Sequence, residues 1–420
     1  MGRNTSGGRG SAVWLVFFLT LVAVLTLGFS VLAIIHIKGN SDGADVVLQD
    51  VIFEDIIYGK GEDTADAVGD KESNSGSDGA GDVGGEFVPV DIASNTFVAS
   101  PDADGEYSLL FTGDVSFAEG YTNMAVYNDS GRRIDAIFDT DVIDLMNNSS
   151  FLMVNNEFTF SDRGEPLEGK QFTFRAKPQS VSIYGDMGVD AVTLANNHCY
   201  DYGEVSLRDT CAVLNDAGII YTGGGLDISD ASHPITVVCG DRKVAIVSAT
   251  QIERLDHPDT KGATESSPGT YRCWYDDTIC RQVEELKSEY DYVIAYIHWG
   301  TESVTDIDWA QVDLAGKLAS SGADLIIGDH PHILQRLDNV KGVPVIYSMG
   351  NYWFNSKTLD TCLLEVNLTE DGSQIRFIPA VQSGCKTILA TGTERDRILQ
   401  YMRSISVNVY IDQDGVVTLK

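Results

Sequence analysis

Short apolar runs that stop abruptly at polar residues recur from residue 107 to residue 351, and stretches of helical periodicity separate several of them. Tyr107-Ser108-Leu109-Leu110-Phe111 reads as a strand entering Thr112-Gly113-Asp114, and Phe151-Leu152-Met153-Val154 as a second strand delivering Asn155-Asn156-Glu157. Asp190 to Leu194 leads in the same way into Ala195-Asn196-Asn197-His198. Asp291 to Ile297 ends in His298-Trp299-Gly300, Ala323 to Ile327 in Gly328-Asp329-His330-Pro331-His332, and Val343 to Tyr347 in Ser348-Met349-Gly350-Asn351. Runs of this length closed by glycine or polar residues are the pattern of buried strands that end in tight loops.

The helical stretches have their own signals. Ile134, Ile137, Phe138, Val142 and Leu145 share one helical face, which predicts a helix over Ile134 to Met146; Ile279, Val283, Leu286 and Tyr290 predict another. Trp309 to Ser321 begins after Asp308, a good N-cap, and stops at Gly322. Strands alternating with helices predict an α/β fold with a sheet covered on both faces. In such folds the polar groups just beyond the carboxyl ends of the strands gather in one crevice. Further strands are expected at Cys362 to Leu368 and Ser406 to Ile411, without a site motif, and no internal repeat is present.

The first hundred residues follow different patterns. Ser11 to Ile37 contains no Asp, Glu, Lys or Arg, long enough for a membrane-crossing helix. Arg3 and Arg9 precede it and acids dominate after Lys38, so the positive-inside rule places residues 1–10 in the cytoplasm and the bulk of the chain outside. The apolar core is longer than that of a cleaved signal peptide, which favours a single-pass anchor over 11–37. Asp45 to Tyr58 has spacings compatible with a short amphipathic helix. Gly59 to Gly85 has few large apolar residues and cannot bury enough surface to fold alone, so 38–105 reads as an acidic flexible stalk and 106–420 as the folded domain.

A formal net charge of -33 argues against nucleic acid as a partner, since phosphate backbones require Lys and Arg. The seven cysteines, from Cys199 to Cys385, cannot all pair within one chain, although Cys273 and Cys280 are near enough for a small loop. The strand tips are more informative. They carry Asp114, Glu157, Asn197, His198, His298, His330 and His332, including four of the seven histidines of the chain. Carboxylate, imidazole and carboxamide oxygen are the ligand types of manganese, iron or zinc. Two such ions about 3.5–4 Å apart, bridged by a carboxylate, clamp a phosphate and activate a water, while a free histidine protonates the leaving oxygen.

The ordered signatures are Thr-Gly-Asp-Val at 112, Asn-x-Glu at 155, Phe-x-Ala-x-Pro at 174, Ala-Asn-Asn-His at 195 with Asp201-Tyr202-Gly203, His-Trp-Gly-x-Glu at 298, Gly-x-His-Pro-His at 328 and Ser-Met-Gly-Asn at 348. In this order, from Tyr107 to Phe354, the chain resembles the CapA-type poly-gamma-glutamate capsule proteins, a branch similar to the calcineurin-like metallophosphoesterases. The resemblance implies a four-layer α/β/β/α sandwich of the metallophosphoesterase type. It also implies a role in making, exporting or anchoring an anionic cell-surface polymer, alongside the membrane subunits of a capsule synthase.

By the same resemblance, Asp114 is the first-motif carboxylate, Asn197 and His298 ligate one metal, His330 and His332 give one ligand to each, and His198 is the catalytic acid. Glu157 stands where the phosphoesterases use aspartate. Asn155, Glu302, Asp329 and Asn351 are candidates for meeting substrate or orienting ligands, although Asn197 and Asn351 also suit turn-capping and Trp299 suits packing. One departure bears on function: the phosphoesterase Asp-x-His is Asp114-Val115-Ser116 here. One metal or two, and a hydrolase or a non-catalytic accessory that binds polymer or synthase, are both compatible with that change.

Overall fold

The computed structural model describes residues 90–102, 105–252, 261–369 and 372–420. The expected anchor and most of the expected stalk, 38–89, lie outside the described residues. Among the described residues no helix is long and apolar enough to cross a membrane. The stalk was expected to run to 105, but Val90–Asp91 and Thr96–Val98 are already strands. Thr96–Val98 pairs in parallel with Ile235–Cys239 and buries Phe97, a long-range pairing that local composition does not reveal.

Two large sheets form the body of a mixed α/β fold. One has eight strands in the order Val90–Asp91, Thr96–Val98, Ile235–Cys239, Arg242–Thr250, Tyr292–His298, Leu325–Asp329, Val343–Ile346 and Leu337–Val340. The main path of the ten-stranded sheet is Val409–Ile411, Val416–Leu419, Gly372–Ser383, Leu359–Thr369, Tyr107–Val115, Phe151–Asn156, Ala191–Thr193 and Ile220–Thr222. Asn351–Trp353 adds beside Tyr107–Val115, and Lys386–Leu389 beside Gly372–Ser383. The site-bearing strands of each sheet pair in parallel, so their carboxyl ends share one edge.

Side-chain alternation along the strands sets the layers. Leu109, Phe111, Phe151 and Met153 of one sheet pack with Ile246, Ile294, Tyr296 and Ile327 of the other. Leu110, Leu152 and Val154 instead meet Val142, Met146, Ile183, Tyr184, Leu207 and Leu214, which lie on the helices Thr140–Asn147, Ser182–Met187 and Gly203–Asp216. On the outer face of the eight-stranded sheet, Val247, Val293 and Ile326 meet Ile279, Val283, Leu314 and Leu318 of the helices Asp277–Lys287 and Trp309–Ser321. Both faces of the central strands are therefore apolar, which explains their nearly continuous apolar sequences. Each fully buried Leu, Ile or Phe contributes about 1.5–3 kcal/mol, so these layers hold the strand tips rigidly in place. Gly392–Ile405 departs from the layering and adds Ile398, Leu399 and Met402 to the core between the sheets.

Helix Trp309–Ser321 has the predicted limits: Asp308 and Gln311 form a capping box, and Gly322 ends it at φ 105°. The helix expected over Ile134 to Met146 is divided. A 3-10 turn at Ile134–Ala136 precedes Thr140–Asn147, because Asp139 caps Val142 N at 2.9 Å and Phe138 bridges to Thr387. The strand expected from Ser406 starts at Val409, after Gly392–Ile405 has run on as helix. All seven cysteines are free thiols, including Cys273 and Cys280.

Candidate metal centre

Two glycines allow the strand tips to converge. Asp114 N donates to Gly350 O at 3.0 Å, and a Cβ on Gly113 would lie 1.8 Å from that same oxygen. This close approach brings Asn351 alongside Asp114, the first pair in their parallel register. Gly328 is enclosed likewise: a Cβ there would meet Trp299 Nε1 at 2.2 Å and Tyr347 O at 2.3 Å. Trp299 is fully buried and donates Nε1 to Tyr347 O at 2.9 Å, the packing role its sequence suggested. Beyond Gly328, His330 at φ 101° and His332 at φ 61° occupy backbone conformations that L residues rarely adopt. Such strain costs about 1–3 kcal/mol per residue and persists where surrounding contacts enforce it. Here Ser303 N donates to Pro331 O at 2.8 Å and Asn351 N to His332 O at 3.4 Å.

The convergence produces two groups of ligand-type side chains. Glu157, His298 and His330 form one, and Asp114, Glu157 and His332 the other, with the ligand atoms of each group within 4.8 Å of one another. Glu157 belongs to both. Its Oε1 is buried without a hydrogen-bond partner, 3.7 Å from His298 Nε2, 3.9 Å from His332 Nε2 and 4.0 Å from His198 Nε2. Ligand bonds of about 2.0–2.2 Å in a tetrahedral array separate donor atoms by roughly 3.4 Å, so the spacing fits a divalent ion. A shared carboxylate with an orphaned oxygen among three imidazoles also fits: a cation satisfies acceptors that no protein donor reaches.

Carboxamides complete both groups. Asn197 Oδ1 lies 2.9 Å from His298 Nε2, and His330 Nδ1 lies 3.1 Å from the same nitrogen. His332 Nδ1 lies 2.9 Å from both Asp114 Oδ2 and Asn351 Oδ1. Asn155 donates Nδ2 to Asp114 Oδ1 at 2.7 Å and to Glu157 Oε2 at 3.4 Å, while its own oxygen accepts from Asn196 at 3.0 Å. The predicted Asn155 therefore fixes the two carboxylates. Ser116 lies at the end of the same segment but turns to the backbone: its Oγ accepts from Ala118 N at 3.4 Å, and its carbonyl accepts from Asn123.

Electrostatics follow from burial. Burial pushes the Glu157 carboxyl well above its ordinary range, and the Asp114 charge adds to that push. Burial holds His298 and His330 well below the ordinary imidazole range, assisted by the neighbouring histidines, which keeps them neutral as metal ligands must be. For His332 burial pushes down, but the hydrogen bond and charge of Asp114 outweigh it and the net direction is upward.

His198 stands apart from the ligand groups. Its Nδ1 lies 2.7 Å from Asp201 Oδ2, which leaves Nε2 facing Glu157, and burial lowers its proton affinity. Asp201 Oδ1 accepts from the buried Lys170 ammonium at 2.6 Å, and Lys170 also donates to Asn197 O. Phe174 packs on the His198 ring, with centroids 4.2 Å apart, and donates its backbone N to Asp201 at 2.6 Å. The sequence reading missed Lys170, because a single lysine in a polar loop carries no pattern. It placed Asp201 in a signature without giving it a role.

Two other candidates stand outside both ligand groups. Asp329 is fully buried and accepts from Tyr296 OH and, at 3.4 Å, from Met349 N, so it joins strands beneath the centre. Burial and the Asp114 charge push its carboxyl well upward. It contributes to neither ligand group. Glu302 is exposed, and its charge still adds to the upward push on Glu157 and His332.

Paired sheets with buried imidazoles and carboxylates at their shared edge define an α/β protein with a candidate metal centre. The profile of the family Bacterial capsule synthesis protein PGA_cap matches residues 108–356, and the chain belongs to that family. The resemblance seen from Tyr107 to Phe354 is thereby borne out. The chain is 28% identical over 211 residues to the PGA biosynthesis protein CapA of Bacillus subtilis strain 168, covering 49% of this chain and 53% of the relative. It is 27% identical over 242 residues to the capsule biosynthesis protein CapA of Bacillus anthracis, covering 56% and 58%. A probable polyglutamine synthesis accessory protein of Mycobacterium tuberculosis strain H37Rv is 29% identical over 206 residues, covering 47% and 54%. The chain thus spans about half the length of these curated relatives.

Proposed function

We propose that this protein is a membrane-anchored component of capsule polymer production. Its hydrolase-type, metal-dependent site acts on a phosphoester or an amide in the pathway of an anionic polymer of the poly-gamma-glutamate type. The observation that carries the reading is Glu157, whose orphaned oxygen is shared by two groups of ligand-type side chains. Glu157, His298 and His330, with Asn197, would hold one ion; Asp114, Glu157 and His332, with Asn351, would hold the other. A bound manganese, iron or zinc ion supplies Lewis acidity and activates a water. His198 delivers a proton from Nε2 to the leaving atom, with Asp201 fixing the ring and Lys170 fixing Asp201. Residues 11–37 anchor the chain with its N-terminus in the cytoplasm, which sets the domain outside the membrane beside the capsule synthase subunits.

Metal content of the purified protein tests the first part. His330→Ala and His298→Ala are expected to lose bound ion, and equal content in all three proteins refutes the centre. Turnover of a generic phosphodiester with manganese, abolished by His198→Ala, tests the second. A non-catalytic accessory role is favoured by one specific observation: Ser116 replaces the histidine of the phosphoesterase pattern. Metal binding by wild type without any turnover selects that reading.

A further inference from the structure

Beside the carboxyl end of strand Arg242–Thr250, Gln251, residues 274–277 and the first turns of helix Trp309–Ser321 enclose an open trough of about 290 Å³. It adjoins the metal centre through Gln251, whose backbone N donates to His298 O at 2.9 Å. Three large aromatic side chains are exposed here: Tyr275 at 80%, Trp309 at 72% and Trp274 at 41%. Isolated exposed aromatics are unremarkable on a protein surface, but these three line one recess.

The polar groups of the trough identify what it fits. Gln251 is only 7% exposed; its Nε2 donates to Ala310 O at 3.5 Å, while no described residue donates to its Oε1. Among the described residues that line it, Asp276, Asp277 and Asp313 supply three carboxylates against a single ammonium, that of Lys317. Lys317 is committed, with Nζ 2.6 Å from Asp276 and 2.8 Å from Asp313. Asp277 is exposed and in none of those pairs. A ligand here meets acceptors and aromatic faces, so it must donate hydrogen bonds and carry positive charge. A carboxylate or phosphate polymer meets like charge instead. The indoles of Trp274 and Trp309 stand edge to face, 6.1 Å apart at 83°, which makes a corner rather than the flat platform that a sugar ring would stack on.

We propose that this trough binds the side chain of a lysine in a partner protein. The methylenes lie along the indole of Trp309, and the ammonium reaches Asp277 and Gln251 Oε1. The site is separate from the metal ligands and independent of the reaction proposed for them.

The test uses the full-length chain and acetyl-Gly-Lys-Gly-amide, followed by indole fluorescence and calorimetry. Its controls are the same peptide with an Nε-acetylated lysine and one with glutamate in place of lysine. The lysine peptide is expected to bind saturably, and each control about tenfold or more weaker. Trp309→Ala and Asp277→Asn alter exposed side chains, so their melting and metal content should match wild type while each weakens the lysine peptide by about three- to tenfold. Tyr275→Ala provides a further variant should Trp309→Ala disturb the helix start. Equal binding of the acetylated peptide, or full affinity in both Trp309→Ala and Asp277→Asn, overturns the proposal. So does the absence of saturable binding up to about 10 mM, the range where so small a contact must act.

Discussion

Glu157→Gln should have opposite effects on stability in chelator and in metal. The substitution keeps shape and removes the charge. In the metal-free protein, burial and Asp114 raise the Glu157 carboxyl well above its ordinary value of 4.5. A raised folded-state value means that the native state holds the proton more tightly than the unfolded state. Its stability therefore falls as pH rises from about 4.5, by at most about 1.4 kcal/mol per pH unit, until the folded-state value is passed. At about pH 7.5 that slope sets a ceiling of about 4 kcal/mol, which relaxation of the pocket lowers. Glu157→Gln in chelator should consequently melt several degrees higher than wild type near neutral pH, with a flatter pH profile. In metal the order reverses. An ion at a hundred times its Kd stabilises wild type by about 2.7 kcal/mol, whereas the amide weakens both groups that share this position. Scanning calorimetry in chelator and in manganese, from acidic to mildly alkaline pH, reads both effects. An unchanged metal-induced rise in the variant refutes the sharing of Glu157, and a lower melting temperature in chelator refutes the account of its burial.

Gly328→Ala should destabilise by more than about 3 kcal/mol in denaturant unfolding, because its Cβ would meet Trp299 and the Tyr347 carbonyl. Metal content should fall with it, since His330 follows on the same turn. Asp308→Ala removes the capping box of Trp309–Ser321 and should cost about 1 kcal/mol by the same measurement, with metal content unchanged. Burial raises Asp190 to about 7, which makes stability fall with rising pH between about 4 and 7 at no more than about 1.4 kcal/mol per unit. Asp190→Asn keeps an acceptor for Leu152 N and should flatten that window; an identical pH profile in the variant contradicts the assignment.

The apolar runs of the sequence determined that strands exist at Tyr107–Val115, Phe151–Asn156, Tyr292–His298 and Leu325–Asp329, since strands buried on both faces have little freedom of composition. They also determined that Asp114, Glu157, His298, His330 and His332 sit at strand tips, and parallel pairing brings such tips to a common edge. The limits of Trp309–Ser321 were equally legible, because an N-cap and a left-handed glycine act within a few residues of chain. Only tertiary structure decided the rest. Strand Thr96–Val98 depends on an edge supplied more than a hundred residues later. Helix Thr140–Asn147 starts where it does partly because Phe138 meets Thr387 from a distant strand. Lys170 acquires its importance from Asp201 and Asn197, and Glu157 becomes the shared group only when two sheets bring separate imidazoles to one carboxylate. Periodicity records which face of an element is buried; the identity of the atom across the gap depends on long-range geometry that no local pattern encodes.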